Sequence, residues 1–142
     1  MIRAVLDSNV ITSGLMKPMS PPGMVLRKAV EGAFTAVISS ELIAEYERAL
    51  GYPRVRSRIS LVDADLQSWL QLFRQHSMFV VAALLAPDFV ADPDDAKVLA
   101  CAIAGSAQFV MTGDRHLRVL GVFRGIEIVA PASFLGELER GD

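Results

Sequence analysis

The sequence predicts an α/β protein, a three-layer α/β/α sandwich around a central parallel sheet of about five strands. Three observations carry that expectation. Short apolar runs alternate with longer helical patterns along the chain, the order expected of β-α-β units. The runs are continuously apolar rather than alternating, as in strands covered on both faces. No internal repeat, low-complexity stretch or Ser/Gly-rich linker divides the 142 residues, so a single domain over 1–142 is expected.

The elements follow in order. Ile2 to Leu6 (IRAVL) reads as a first strand, with a helical stretch beginning near Ser8. Pro21–Pro22 opens a helix over Gly23 to Glu31 that stops at Gly32, and Phe34 to Ile38 is a second strand. Ser39 or Ser40 then caps a helix from Glu41 to about Leu50, ended by Gly51 and Pro53. Between Asp63 and His76, Leu66, Trp69, Leu70 and Phe73 recur at i, i+3, i+4 and i+7, which is one apolar helix face. Trp69 and Phe73 therefore fit a core stripe better than a base-stacking platform. Met78 to Ala82 is a short third strand. Pro93 stands as the first helical residue before Asp94 to Ala104, a helix apolar almost all round and so expected deep in the domain. Gln108 to Met111 and Ile126 to Val129 make two more strands, and Ala132 to Glu139 a closing helix.

Composition narrows the function classes. Hydrophobic residues make up 52%, too many for a disordered tail. No apolar run approaches the roughly 18–20 residues that span a bilayer, so no membrane role is expected. The N-terminal MIRAVLDSNV meets an Asp at position 7 and does not read as a signal peptide. Cys101 is the single cysteine, so no internal disulfide can form, which suits a reducing cytosol. In the run VLACAIA it reads as a small buried hydrophobe. The net charge of −2 argues against general electrostatic wrapping of nucleic acid, while leaving room for a local basic patch. His76 and His116 have no ligand-like spacing with Cys101, which removes zinc. There is no GxGxxG, Walker or GxSxG motif.

What remains is a set of acids. Ligands of parallel α/β sheets collect beyond the carboxyl ends of the strands, near the point where strand order reverses. Asp7 ends the first strand, and Asp114 follows QFVM through Thr112 and Gly113, so both project from one edge of a parallel sheet. Each also has a structural reading, Asp7 as a helix N-cap and Asp114 as a turn residue after glycine, and neither residue alone separates the two. In Asp92-Pro93-Asp94-Asp95, capping and the helix dipole account for Asp92 and Asp94 without requiring three carboxylates in four residues. Asp95 begins a buried helix whose start faces the same sheet edge. Glu45 falls just outside the apolar arc of its helix, where it can reach a pocket rim or simply sit in solvent. Converging carboxylates repel, and oxygen-only ligands favour Mg²⁺ or Mn²⁺. Arg54, Arg56 and Arg58, with Arg115 and Arg118, are candidate phosphate contacts, or equally a solvated surface.

The ordered set LDSN, ELIAE, DPDDAK and VMTGD, within VLDSNVITSGL, SPPGMVLRKAVEG, SSELIAEYERAL with YPRVR, DPDDAKVLACAIAGSAQFVMTGDRHL and IEIVAPASFL, resembles the PIN-domain family over nearly the whole chain. The similarity is to the subgroup regarded as toxins of toxin–antitoxin pairs. It implies a PIN-like sandwich and hydrolysis of RNA phosphodiester bonds with Mg²⁺ or Mn²⁺. It also implies a homodimer and a cognate antitoxin that blocks the pocket. The catalytic quartet then falls on Asp7, Glu45, Asp95 and Asp114, with Asp92 the next candidate through water. Ser8, Asn9 and Thr112 fall where small polar residues orient the acids. Two departures stand out. Ala96 replaces a frequent Asp or Asn, and Ser8 replaces a more usual Thr while keeping the hydroxyl. Two rival expectations remain, a small haloacid-dehalogenase-like phosphatase and a catalytically silent PIN module. The first wants an Asp where Asn9 stands; the presence of all four acids counts against the second.

Overall fold

Strand β1 (Arg3–Leu6) runs into the core with its last three residues buried, and Asp7 caps the helix that follows, α1 (Ser8–Met16). The computed structural model describes residues 1–83 and 92–141. Ser20 caps α2 (Pro21–Val30), whose first position is a proline already fixed near helical φ. Just past the Glu31 cap of α2, Gly32 takes the left-handed φ of 79° that follows a helix C-terminus. Strand β2 (Thr35–Ile38) leads through the Ser39 cap into α3 (Ser40–Gly51). A short α4 (Pro53–Arg56), α5 (Asp63–Gln75) and β3 (Met78–Phe79) follow. Then come α6 (Pro93–Ala104), β4 (Phe109–Met111), a short α7 (Arg115–Arg118), β5 (Val122–Phe123), β6 (Ile126–Val129) and α8 (Pro131–Gly141).

The sheet has strand order β3-β2-β1-β4-β6-β5. Strands β1 to β4 and β6 pair in parallel, and β5 pairs antiparallel with β6. This corrects two expectations: there are six strands among the described residues rather than about five, and the sheet is mostly rather than wholly parallel. The extra strand is an edge hairpin closed by Arg124 and Gly125 at φ 49° and 81°, between the paired residues Phe123 and Ile126. Two successive positive φ values are the two-residue turn that matches strand twist. Arg-Gly is a weak sequence signal for that turn beside Asn-Gly or Asp-Gly, and a two-residue strand leaves little pattern. Helices α4 and α7, four residues each, also went without a sequence signal.

Helix α6 packs on β1, β2 and β4, and α8 packs on β4 and α2, giving the three-layer α/β/α arrangement. Val98, Leu99, Ala100, Cys101 and Ala102 of α6 are buried, as its all-round apolarity predicts. Phe34, Phe109 and Phe134 meet edge to face in the core, and Phe73 stacks with Trp69. Cys101 is buried with its Sγ 3.6 Å from the Val37 carbonyl, and burial pushes its thiol up to about 11. It is an inert filler. Among the described residues no helix is long and apolar enough to cross a membrane.

The candidate active site

Strand order turns at β1, which has β2 on one side and β4 on the other. The carboxyl ends of β1 and β4 therefore open the crevice where parallel sheets bind ligands. Asp7 and Asp114 both lie there. The Asp7 N–H donates to the Met111 carbonyl at 2.9 Å, extending the β1–β4 ladder by one residue and fixing the Asp7 side chain over the edge.

A dense polar network holds the two acids. Asp7 Oδ1 accepts the Ser8 N–H at 2.8 Å, while Oδ2 accepts the Thr112 hydroxyl at 2.8 Å and the Asn9 amide at 3.3 Å. Thr112 Oγ1 in turn accepts the Asp114 N–H at 2.9 Å, and Asn9 Oδ1 accepts the Gly113 N–H at 2.8 Å. Asn9 and Thr112 thus tie the ends of β1 and β4 together, while the Ser8 N–H fixes Asp7 locally. Asp114 Oδ1 accepts the His116 N–H at 2.9 Å and caps α7. The N-cap reading of Asp7 is therefore true, and Asp114, read from the sequence as a turn residue after glycine, is an N-cap as well. Capping does not exhaust them, because an ionised carboxylate has about four lone-pair sites and each acid keeps capacity facing the crevice.

The DPDD run divides by burial. Asp92 is exposed and caps α6, its Oδ1 accepting the Asp94 N–H at 2.9 Å. Asp94 is exposed and sits 3.4 Å from the Lys97 ammonium. Asp95 is half-buried, and among the described residues its carboxyl makes no hydrogen bond. Burial first, then the charges of Asp92, Asp7, Asp114 and Asp94, push its pKa up to about 6. Asp7 is also pushed up, chiefly by burial, against the opposing bonds from Thr112 and Ser8, with the charges of Asp114 and Glu45 adding to the rise. The charges of Asp7 and Asp114 thus reach Asp95 from other elements, and that of Asp114 reaches Asp7.

Glu45 approaches from α3. Its neighbour Tyr46 is buried, and the Tyr46 hydroxyl donates to the Leu6 carbonyl at 2.6 Å, which pins α3 to the end of β1. The Glu45 side chain is 13% exposed; its Oε2 lies 2.6 Å from Arg48 and 3.8 Å from Lys97. Sequence reasoning gave no site role to Arg48, Lys97 or Tyr46. Arg48 stands at i+3 from Glu45, a spacing that does signal an ion pair. Lys97 reaches Glu45 from another helix, and no local pattern announces that.

The candidate phosphate contacts scatter. Arg56 is held by Asp63 at 2.6 Å and by the Ile59 and Leu61 carbonyls, so it staples the turn between α4 and α5. Arg54 and Arg58 are exposed beside it, away from such bonds, and Arg115 is exposed on α7 directly after Asp114. Arg118 is half-buried, and among the described residues its Nε has no partner.

The donor set fits a hard divalent cation. It is all oxygen and concentrates negative charge, and a cation would offset both the burial and the neighbouring charges that raise Asp7 and Asp95. Among the described residues no three His, Cys, Asp or Glu side chains form a ready ligand set. Two cavities bear on the surroundings, only one of them lined by a candidate acid. One of about 420 Å³ adjoins Asp114 on the α1–α2–α8 side, and one of about 650 Å³ lies between α3 and α5, lined by Ile43, Tyr46 and Phe79.

Comparison with known proteins agrees with the fold. A family model described as the PIN domain matches residues 3–116. The crystal structure of PAE2754 from Pyrobaculum aerophilum superimposes with a TM-score of 0.63 at 17% identity, covering 98% of this chain and 90% of that one. Among curated proteins no sequence matches.

Proposed function

The chain belongs to the PIN domain family, generally a family of nucleases that use divalent metal ions, and from that membership we propose that it is a metal-dependent ribonuclease hydrolysing RNA phosphodiester bonds. The observation that carries this reading is the meeting of Asp7, Asp95 and Asp114 from β1, α6 and β4 at the reversal point of the sheet. In this reading Asp7, Asp95 and Asp114 hold Mg²⁺ or Mn²⁺, and Asp92 stays at the rim as an N-cap. Such an ion polarises the scissile phosphate and lowers the pKa of a bound water.

The chain's own residues prepare that chemistry. Thr112, Asn9 and the Ser8 N–H fix the Asp7 carboxylate in one orientation before any ligand arrives. Preset orientation removes reorganisation from the reaction itself. Arg48 and Lys97 hold Glu45 at the margin of the cluster, where it completes the site or orients the attacking water. Arg54, Arg58, Arg115 and Arg118 are proposed phosphate contacts along the RNA, whereas Arg56 is already committed to its turn.

The finer reading makes the chain the cytoplasmic toxin of a toxin–antitoxin pair, acting as a homodimer and silenced by a cognate antitoxin over the acids. The DPDDAK and VMTGD segments support it by resemblance. The test is cleavage of RNA with Mn²⁺, with EDTA, and in Asp7→Asn, beside hydrolysis of a generic phosphate monoester. Metal-dependent RNA cleavage lost in Asp7→Asn supports the reading. Monoester hydrolysis without RNA cleavage would instead indicate a phosphatase, and inertness in both assays a binding module.

A further inference from the structure

The cavity of about 420 Å³ beside Asp114 falls within the range of small-ligand pockets and is not part of the acidic cluster itself. One wall is shared with the site: Asn9, Gly113 and Asp114 line it, so whatever fills it lies directly against the reacting centre. The opposite wall is apolar and rigid. Pro21 and Pro22 open α2 and Pro131 opens α8, so three pyrrolidine rings from two helix starts border one space. Fixed rings present a contact surface with little conformational freedom to lose on binding. Among the described residues no lysine or arginine lines the cavity, and Asp114 contributes negative charge. A phosphate is therefore a poor occupant, and an uncharged, flat group with apolar faces is a good one. Ser13, half-buried in the same wall, offers a hydroxyl that bonds no other side chain or backbone group among the described residues.

We infer that this cavity is a nucleoside subsite, which takes one base of the RNA, with its ribose, next to the phosphodiester held at the acids. The inference rests on the ribonuclease reading. The base lies against the proline rings and the ribose or base edge bonds Ser13, while the flanking phosphates remain outside with the exposed arginines. The subsite therefore recognises a nucleotide by its uncharged part, one step along the strand from the reacting bond.

The test is an abasic scan. Short fluorescein-labelled single-stranded RNAs, each lacking one base, are compared with the parent RNA. Equilibrium binding is followed by anisotropy in EDTA, and KM and kcat by cleavage in Mn²⁺. In the wild type one position should stand out, its abasic form raising Kd and KM about 5–10-fold, as burying roughly 40–55 Å² of apolar base surface would give, with kcat changed less. Ala132→Phe, at an exposed first-turn position of α8, should fill the cavity and erase the dependence on that position while cleavage of the parent RNA persists at raised KM. Ser13→Ala should halve the effect or more, without altering thermal melting. The inference is overturned if no position responds, or if the response survives both substitutions while cleavage continues. RNA neither bound nor cut would remove the ribonuclease reading, and the subsite with it.

Discussion

Thr112 is fully buried, and its hydroxyl joins Asp7 to the backbone of Asp114. Replacing it with valine keeps the shape and removes the donor, leaving a buried carboxylate oxygen and an N–H without this partner. Thr112→Val should lower stability by about 1–3 kcal/mol, measured by urea unfolding, and lower cleavage further than folding explains. Asp95 yields a prediction with a pH signature. Its folded-state pKa is raised from 3.8 to about 6, so the folded state binds the proton more tightly than the unfolded chain. The ionised form therefore opposes folding above about 6, and the opposition fades as pH falls toward 3.8. In metal-free protein, Asp95→Asn should raise the melting temperature at neutral pH and leave it unchanged near pH 4; equal shifts at both would contradict the burial argument. At this scale much was legible. Asp7 and Asp114 stood at strand ends, where position alone implies direction. Glu45 was not settled by its helix, because its setting depends on Lys97 of a distant helix and on Tyr46 reaching Leu6.

Elements with a local cause were the most legible. Serine caps, Pro at the first helical position and Gly32 at left-handed φ are properties of a few adjacent residues, and the helices they bound fall within a few residues of expectation. Strand β5, α4 and α7 were missed because a two-residue strand and a four-residue helix are too short to show periodicity. Gly23 illustrates a demand that only packing reveals. A Cβ there would lie 2.2 Å from the Pro18 carbonyl oxygen, so α2 approaches the turn after α1 closely enough to exclude any side chain. Gly23→Ala should destabilise by about 1–3 kcal/mol, as overpacking does, despite alanine's better helix propensity. Calorimetry showing an unchanged or raised melting temperature would contradict that close approach.

Across the whole molecule, the acids are scattered through the sequence and meet only because strand order reverses at β1. The alternation of strand and helix implied a parallel sheet, and a parallel sheet implied that Asp7 and Asp114 share an edge. That chain of inference is global, and it survives the antiparallel strand β5 because β5 lies at the far edge, two strands away from β4. The metal itself is implied by charge: Asp7, Asp95 and Asp114 crowd negative charge at one end of the sheet. The most direct test is anomalous scattering from crystals soaked in Mn²⁺. An ion bound within reach of Asp7, Asp95 and Asp114, and absent in Asp7→Asn, is the predicted result. Well-ordered crystals in which those three carboxylates hold no Mn²⁺, or in which Mn²⁺ binds elsewhere, would contradict it.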